Sequence, residues 1–254
     1  MSLKIDIAAE VENDAIRALD LSMFDQQDLV NLILQRSEVL YDLPRSGRVI
    51  REWNGGNMNP IVEQVDRLGA EIAYRTAAVI HAEYRAMAPI LEKLAPERVA
   101  DIGCGYAFFD LFLARDLGAK LLLIDLESND RRHFGFKKEG AAYSSLSRAK
   151  EMLVANQVDA ADVRTLNPEK EDPAKAGKVD MATSFLSCGF HYPVSLYQDF
   201  FTTTVNTGGS AIIDLREATA EQQLKQLQAY GLTLTKTMNS PPKVKRALLT
   251  KGTA

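Results

Sequence analysis

A buried strand that runs directly into a glycine turn constrains this chain more than any other feature of its sequence. The segment Val99-Ala-Asp-Ile-Gly-Cys-Gly-Tyr-Ala107 places an apolar strand ahead of Gly103 and Gly105, and a helical pattern follows. Glycine permits backbone conformations and a close approach of a ligand that a side chain would obstruct. Ligands of parallel sheets bind at the carboxyl ends of the strands, so the segment predicts a nucleotide-type ligand at this turn.

The glycine turn belongs to a region in which short strand-like runs alternate with helical stretches. The strand-like runs include RVADIG, AKLLLIDLE, KVDMATSF and GSAIIDLRE. Their alternation with helices predicts an α/β fold with a Rossmann-like, doubly wound and mainly parallel sheet. A helix that ends at Gly231 and two alternating runs after it predict an antiparallel hairpin at the C-terminus.

The first part of the chain carries helical rather than strand-like patterns. Apolar spacing predicts two amphipathic helices within residues 7–40, and the stretch 41–60, rich in Gly, Asn, Pro and Arg, is interpreted as an ordered loop. We therefore expect an N-terminal helical cap over residues 1–95 and a ligand-binding domain over residues 96–254.

A proline is expected to open the last helix of this cap. Pro60 suits the first turn of a helix, where its missing N–H costs nothing. The apolar spacing then predicts a helix that reaches Leu94 and is either continuous or broken near Pro89.

The stretch 41–60 also contains candidate substrate ligands. If it covered the carboxyl edge of the sheet as a lid, it would exclude water and complete a pocket. Trp53, Asn54 and Asn57 could then bind a polyhydroxylated substrate. The alternative is a connector whose tryptophan packs into the helical layer.

Composition narrows the classes of partner. The chain has 254 residues and a net charge of −4 without a basic stripe, so we expect no nucleic-acid partner. Its longest apolar runs are far shorter than a membrane span, and its N-terminus shows no secretion signal. We therefore expect a cytoplasmic protein with a small-molecule substrate and no membrane partner; the sequence leaves the oligomeric state open and permits a homodimer.

Cysteine and histidine are too sparse to suggest a structural metal. Two cysteines, Cys104 and Cys188, and three histidines occur, without a CxxC pair or a plausible ligand spacing. The expectation is a site without a metal ion.

An acid follows the second strand of the alternating region and narrows the identity of the nucleotide. Asp125 lies 22 residues after Gly103, where it could accept hydrogen bonds from ribose hydroxyls. A dinucleotide fingerprint requires a third glycine at the position of Phe108, and the aromatic ring there disfavours NAD. No Gly-Lys-Ser/Thr follows, so the turn is not a P-loop.

The segment VADIGCGYA resembles the first motif of the class I S-adenosylmethionine (SAM)-dependent methyltransferases. The resemblance covers about residues 96–252, includes Asp125 as the ribose-binding acid, and extends to the C-terminal hairpin. It implies SAM as the cofactor, with Asp101 and the glycine turn at its methionine end. The SAM-binding residues implied in this way are Asp101, Gly103, Gly105, Tyr106, Asp125, Leu126, Asp162, Val163 and Ser184.

Asp162 and Val163 enter that set through a segment expected to meet the adenine. The run Asn156-Gln-Val-Asp-Ala-Ala-Asp-Val-Arg-Thr-Leu resembles the segment in which an acid contacts the adenine amino group and an apolar residue packs on the ring. Asp159 competes with Asp162 for this role.

The loop after the fourth strand carries the candidate base. The segment SFLSCGFHYP resembles that of a sugar O-methyltransferase branch, which implies methyl transfer to a hydroxyl. His191 is the leading base because much of it is neutral at pH 7, although it could instead pack the loop. Tyr143 and Tyr192 could contact the substrate, or pack at the surface.

We interpret the chain as a SAM-dependent methyltransferase that acts on a small hydroxylated acceptor, a class that includes sugar-like compounds. One alternative is an NAD-dependent oxidoreductase, against which Phe108 weighs. The other is a catalytically silent binding module with a SAM-type fold, although an intact Asp101, Gly103, Gly105 and Asp125 set favours a working donor site.

Overall fold

The computed structural model describes residues 5–126 and 144–252, which contain ten α-helices and seven β-strands. Six helices precede the first strand: α1 (Ile7–Val11), α2 (Asp14–Arg17), α3 (Gln26–Gln35), α4 (Ser46–Asn54), α5 (Asn59–Leu68) and α6 (Glu71–Leu94). The other four are α7 (Phe108–Leu117), α8 (Leu146–Ala155), α9 (Gln198–Thr203) and α10 (Ala220–Ala229). No helix in the described ranges is both long and apolar enough to cross a bilayer.

The strands form one sheet with the order β3-β2-β1-β4-β5-β7-β6. Strands β1 to β5 are parallel, whereas β7 runs antiparallel between β5 and β6. This arrangement confirms the predicted Rossmann-like fold and its C-terminal hairpin. The strands are β1 (Arg98–Ile102), β2 (Lys120–Ile124), β3 (Val163–Leu166), β4 (Val179–Ser184), β5 (Val205–Arg216), β6 (Leu232–Met238) and β7 (Val244–Lys251).

Successive side chains of the central strands enter two different hydrophobic cores. Val99 and Leu121 face the core that contains the N-terminal helices, whereas Ala100 and Leu122 face a second core under α9 and α10. Because side chains alternate between the faces of a strand, apolar residues at consecutive positions are needed to bury both faces. The continuous apolar runs of β1 and β2 meet this requirement.

The N-terminal helices share their hydrophobic core with one face of the sheet. Helix α6 packs against both α1 and α7, so it joins the cap to the first helix after β1. The division of the chain at residues 95 and 96 remains a prediction, since the two parts are buried together.

Part of the predicted loop 41–60 is helical, which corrects the sequence interpretation. Helix α4 occupies Ser46–Asn54 and buries Val49 and Trp53, which stand one turn apart. An i,i+4 pair of apolar residues marks one buried helical face even when the intervening residues are polar. The region 7–40 likewise holds three α-helices and a 3₁₀ turn over Ser37–Leu40, rather than two helices.

The break in the last cap helices lies at Gly69 rather than near Pro89. Gly69 has φ +53°, which ends α5, and Pro60 lies in the first turn of that helix as predicted. Helix α6 continues through Pro89, which is exposed together with Arg85, four residues earlier. Water can therefore solvate the carbonyl that loses its partner to the proline.

A buried network of charged side chains connects the cap to the sheet. Arg246 on β7 donates two hydrogen bonds to Asp214 on β5, at 2.7 and 2.9 Å. It also lies 3.6 Å from Glu83 on α6, whose other oxygen is 2.9 Å from Arg36 at the end of α3. All four side chains are under 10% exposed, so each charge depends on its partners in place of water.

We expect Arg246→Met to lower the free energy of unfolding by about 3–5 kcal/mol, because it leaves Asp214 buried without its partner. Urea unfolding measures this change. The control Lys175→Met removes the same charge from an exposed pair with Asp172 and should cost less than about 1 kcal/mol. A loss for Arg246→Met no larger than that of the control would contradict a stabilising role for the network.

Candidate functional site

The glycine turn joins the carboxyl end of β1 to α7 and is attached to the neighbouring strand. Gly103 and Gly105 have φ +77° and +59°, in the left-handed region that favours glycine. The Gly103 N–H donates to the carbonyl of Ile124, at the end of β2, over 2.7 Å. The turn is thus held at the carboxyl edge of the sheet, where the sequence predicted it.

Asp125 meets the turn through a direct hydrogen bond. Its Oδ2 accepts from the backbone N–H of Gly105 at 2.7 Å, and its own N–H donates to Leu166 at the end of β3. Desolvation raises the pKa of Asp125 to about 7, although the hydrogen bond from Gly105 acts in the opposite direction. A carboxylate oxygen accepts more than one hydrogen bond, so Asp125 can hold the turn and also bind a hydroxyl.

Two side chains approach the glycine positions closely. A Cβ at Gly103 would fall 1.8 Å from Ser187 Oγ, and one at Gly105 would fall 2.7 Å from Gln35 Oε1. The Ser187 hydroxyl also lies 2.7 Å from that of Tyr192. The turn is therefore approached by the loop after β4 and by the end of α3.

Tyr106 fixes α3 on the glycine turn. Its hydroxyl donates to Asp28 at 2.7 Å and accepts from Asn31 at 3.0 Å, and the residue is 1% exposed. Arg148 on α8 donates to the other oxygen of Asp28 at 3.0 Å. The Tyr106 hydroxyl is thus committed to the helical cap, so what it could offer a cofactor is its backbone.

Asp101 and Ser184 are buried at the base of the site. Asp101 Oδ1 accepts a hydrogen bond from Thr183 on β4 at 2.9 Å. Ser184 donates to the carbonyl of Ile102 at 2.7 Å and accepts from the Cys188 N–H at 2.9 Å. Ser184 therefore joins the ends of β1 and β4 to the loop that follows.

Asp162 and Val163 lie at the amino ends of the strands, opposite to the carboxyl ends where Asp125 lies, which corrects the adenine assignment. In the parallel register Val163 pairs with Leu121, and Asp162 is 3.4 Å from Lys120, the first residue of β2. Asp125 follows the last residue of β2. Val163 and Asp162 therefore lie four and five residues of strand below the level of Asp125, about 13 and 17 Å, so neither residue can share a nucleoside with Asp125.

Asn167 is the residue that follows β3 at the carboxyl ends of the strands, the level at which Asp125 follows β2. It follows Leu166, whose carbonyl accepts from the Asp125 N–H at 3.2 Å, so the ends of β2 and β3 are adjacent. The Asn167 side chain accepts a hydrogen bond from the Glu169 N–H at 2.9 Å. The missed signal was the short strand VRTL, whose final residue sets the level of the site.

The loop after β4 carries His191 and Tyr192. His191 is half-buried, and both desolvation and the nearby charge of Arg216 lower its pKa. Arg216 also holds this loop by donating to the Phe190 carbonyl at 2.9 Å. The loop therefore carries His191 and Tyr192 at the carboxyl ends of the strands, and the Tyr192 hydroxyl, hydrogen-bonded to Ser187, lies beside Gly103.

The residues expected to form a lid lie around the end of α4. Trp53 is 2% exposed within the helical core, whereas Asn54 and Asn57 are exposed. Asn57 donates to Glu52 at 2.8 Å. The cap's hydrogen bonds to Tyr106, and the cap side chain next to Gly105, come from α3 rather than α4. A role of the α4 residues in acceptor binding stays a prediction.

The remaining predicted residues differ in how far they can be placed. Leu126 lies beside Asp125, and its carbonyl accepts from Ser144 at 3.1 Å. Tyr143 lies outside the described residues. Within the described ranges, no group of three or more His, Cys, Asp or Glu side chains could hold a metal ion, and metal independence stays a prediction.

Phe108 occupies the position that a dinucleotide site gives to its third glycine. The residue is 2% exposed, and its ring stacks on Phe24 at 5.6 Å between centroids. This ring fills the space between α7 and the cap, where close helix packing would require a glycine.

We expect Gly103→Ala to lower the free energy of unfolding by about 1–3 kcal/mol more than Gly118→Ala. Both glycines have positive φ, so both variants pay about 1 kcal/mol for a side chain in the left-handed region. Nothing lies within 4 Å of a Cβ at Gly118, whereas one at Gly103 meets Ser187. Equal losses in denaturant unfolding would contradict the close approach of the β4 loop.

No protein-family model and no curated protein match this chain. Among solved structures, a methyltransferase from Pyrococcus furiosus is similar over 68% of this chain and 83% of its own, with 15% identity and a TM-score of 0.49. An O-methyltransferase family protein from Burkholderia thailandensis is similar over 89% and 73%, with 12% identity and a TM-score of 0.47. The 1,6-didemethyltoxoflavin-N1-methyltransferase of Burkholderia thailandensis, solved with S-adenosylhomocysteine, is similar over 66% and 77%, with 14% identity and a TM-score of 0.46.

Proposed function

We propose that this chain is a SAM-dependent methyltransferase that transfers a methyl group to a hydroxyl of a small acceptor. The observation that carries the proposal is the hydrogen bond between Asp125 and the Gly105 N–H. It places a carboxylate beside a positive-φ glycine turn at the carboxyl edge of a sheet ordered 3-2-1-4-5-7-6. The carboxylate suits the two hydroxyls of a ribose, and the glycine turn lets an adenosyl ligand approach the backbone closely.

The residues around the turn fit the parts of SAM in order along the edge. Asp125 would accept hydrogen bonds from the ribose hydroxyls, and Asn167 would meet the adenine from the neighbouring strand end. The Gly103–Gly105 backbone and Asp101 would lie toward the methionine end. When bound, SAM supplies an electrophilic methyl group on a sulfonium.

The protein's own task would then be to orient the acceptor and to remove its proton. Methyl transfer is an in-line displacement, so the acceptor oxygen must align with the methyl carbon and the sulfur. His191 would take the proton, since desolvation and Arg216 favour its neutral form. Ser187 and Tyr192, joined by a 2.7 Å hydrogen bond beside Gly103, would orient the hydroxyl.

A cavity lies beside β6 and β7, on the side of the sheet that packs against α6. It has a volume of about 150 Å³ and lies between α6 and the turn that joins β6 to β7. Met87 and Met238 give it apolar surface, whereas Lys236 and Arg246 give it charge. None of the described residues assigned to SAM or to the acceptor lines it, and β7 and β6 lie three and four strands from β1, so the proposed acceptor class rests on the β4 loop instead.

The most direct test of cofactor identity is calorimetry with S-adenosylhomocysteine and, separately, with NAD. We expect binding of S-adenosylhomocysteine and none of NAD, because Phe108 stands where a dinucleotide site has its third glycine. Uptake of NAD alone would favour an oxidoreductase, and uptake of neither would overturn the proposal.

We expect Asp125→Asn to weaken S-adenosylhomocysteine binding about tenfold to a hundredfold, because a charged acceptor for ribose is lost while the Gly105 contact can persist. Asp162→Asn is the matched control, since Asp162 lies at the other end of the strands. Its affinity should equal that of the unmodified protein. If Asp162→Asn weakened binding as much as Asp125→Asn, the nucleoside would not lie where we place it.

An activity screen tests the acceptor class and the base. Small alcohols, phenols and monosaccharides would be incubated with SAM, and S-adenosylhomocysteine formation would be followed. With an accepted compound, His191→Asn should lower kcat by about 10²–10⁴-fold and leave the Kd of S-adenosylhomocysteine unchanged. An unchanged kcat would remove His191 from the mechanism, and tight S-adenosylhomocysteine binding without turnover of any compound would favour a silent binding module.

A further inference from the structure

A buried carboxyl group without a hydrogen-bond donor lies directly behind the glycine turn. Asp110 occupies the first turn of α7 and is 0% exposed. None of the described residues donates a hydrogen bond to either of its carboxyl oxygens. An ionised carboxylate in this position would lose its hydration without compensation, so it needs a proton or a cation.

The neighbour of this group is a second carboxyl. Asp101 on β1 is 4% exposed, and its side chain lies within hydrogen-bonding reach of Asp110. Two carboxylates in contact in a dry interior cannot both be ionised, whereas one proton between them gives a strong hydrogen bond. Near neutral pH we expect the pair to hold one proton, since desolvation raises the pKa of Asp101 to about 6 and that of Asp110 well above its ordinary value.

The charges around the pair determine which member keeps the proton. Asp101 has a second donor, the Thr183 hydroxyl at 2.9 Å, which stabilises its ionised form, whereas Asp110 has none. Burial and the charge of Asp101 accordingly raise the pKa of Asp110 well above its ordinary value. The titratable groups on the described elements packed around α7 are Asp101, Cys104, Asp125, Tyr84 and His81, and the last of these pairs with Glu10.

We propose that Asp110 is a positioning residue that keeps the shared proton and donates a hydrogen bond through it to Asp101, so that Asp101 stays ionised and fixed between Thr183 and Asp110 under the glycine turn. The positive end of α7 stabilises the single negative charge of the pair. As far as it concerns SAM, this inference rests on the proposed function, because Asp101 is the carboxylate assigned to the methionine end.

The shared proton makes folding depend on pH in a defined direction. The unfolded chain releases the Asp110 proton in the ordinary carboxyl range, whereas the folded protein retains it to higher pH. Between these two values the folded state binds one proton more, so unfolding becomes easier as pH rises, by up to about tenfold in the unfolding constant per pH unit.

The first experiment needs no ligand. Unfolding constants of the unmodified protein and of Asp110→Asn are compared between about pH 5 and pH 8. Asparagine keeps the donor but cannot lose a proton, so its curve should be flatter by up to about tenfold per pH unit. Asp199→Asn, the same change at an exposed position, should follow the unmodified protein. Parallel curves for Asp110→Asn and the unmodified protein would show that Asp110 holds no proton, and would overturn the proposal.

The second experiment tests positioning through S-adenosylhomocysteine affinity at pH 7. Asp110→Asn should bind within about threefold of the unmodified protein, whereas Asp110→Ala should bind about tenfold or more weakly because Asp101 loses its donor. Equal affinities of the two variants would refute positioning, even if the pH curves show the proton. If the unmodified protein binds no S-adenosylhomocysteine, the proposed function fails, and the pH curves still decide whether the proton is shared.

Discussion

The hydrogen bond from the Gly105 N–H to Asp125 is the interaction on which the site depends. It connects the turn after β1 to the end of β2, and a second bond from Gly103 to Ile124 holds the same two strand ends together. Both contacts require the positive φ of the glycines, which a larger side chain would strain. The position of the Asp125 carboxylate therefore depends on the conformation of the glycine turn.

The helical cap contributes to this site as well as covering it. Tyr106, the residue after Gly105, is tied to Asp28 and Asn31 of α3, and Gln35 of the same helix lies against Gly105. Farther along the sheet, at β5 and β7, the network around Arg246 joins these two strands to α6. These buried polar contacts fix the cap in addition to its share of the hydrophobic core.

The sequence predicted the sheet and the turn well because both rest on local rules. Apolar runs, the glycine pair and Asp125 all follow from periodicity and spacing. The errors arose where a property depended on register or packing. Asp162 was assigned to the nucleoside because β3 is only four residues long, so the residue before it was mistaken for one at the carboxyl ends of the strands. Helix α4 was missed because the polar residues around Val49 and Trp53 hide its buried face. The contact between Asp101 and Asp110 spans a strand and a helix, and no spacing rule reveals it.

A crystal structure of the protein with S-adenosylhomocysteine tests the central claim most directly. The account predicts that the ribose hydroxyls lie within hydrogen-bonding distance of the Asp125 carboxylate, with the adenine toward Asn167 and the amino-acid end along the Gly103–Gly105 backbone. A nucleoside bound at the opposite edge near Asp162, or bound at this edge without contact to Asp125, would contradict it.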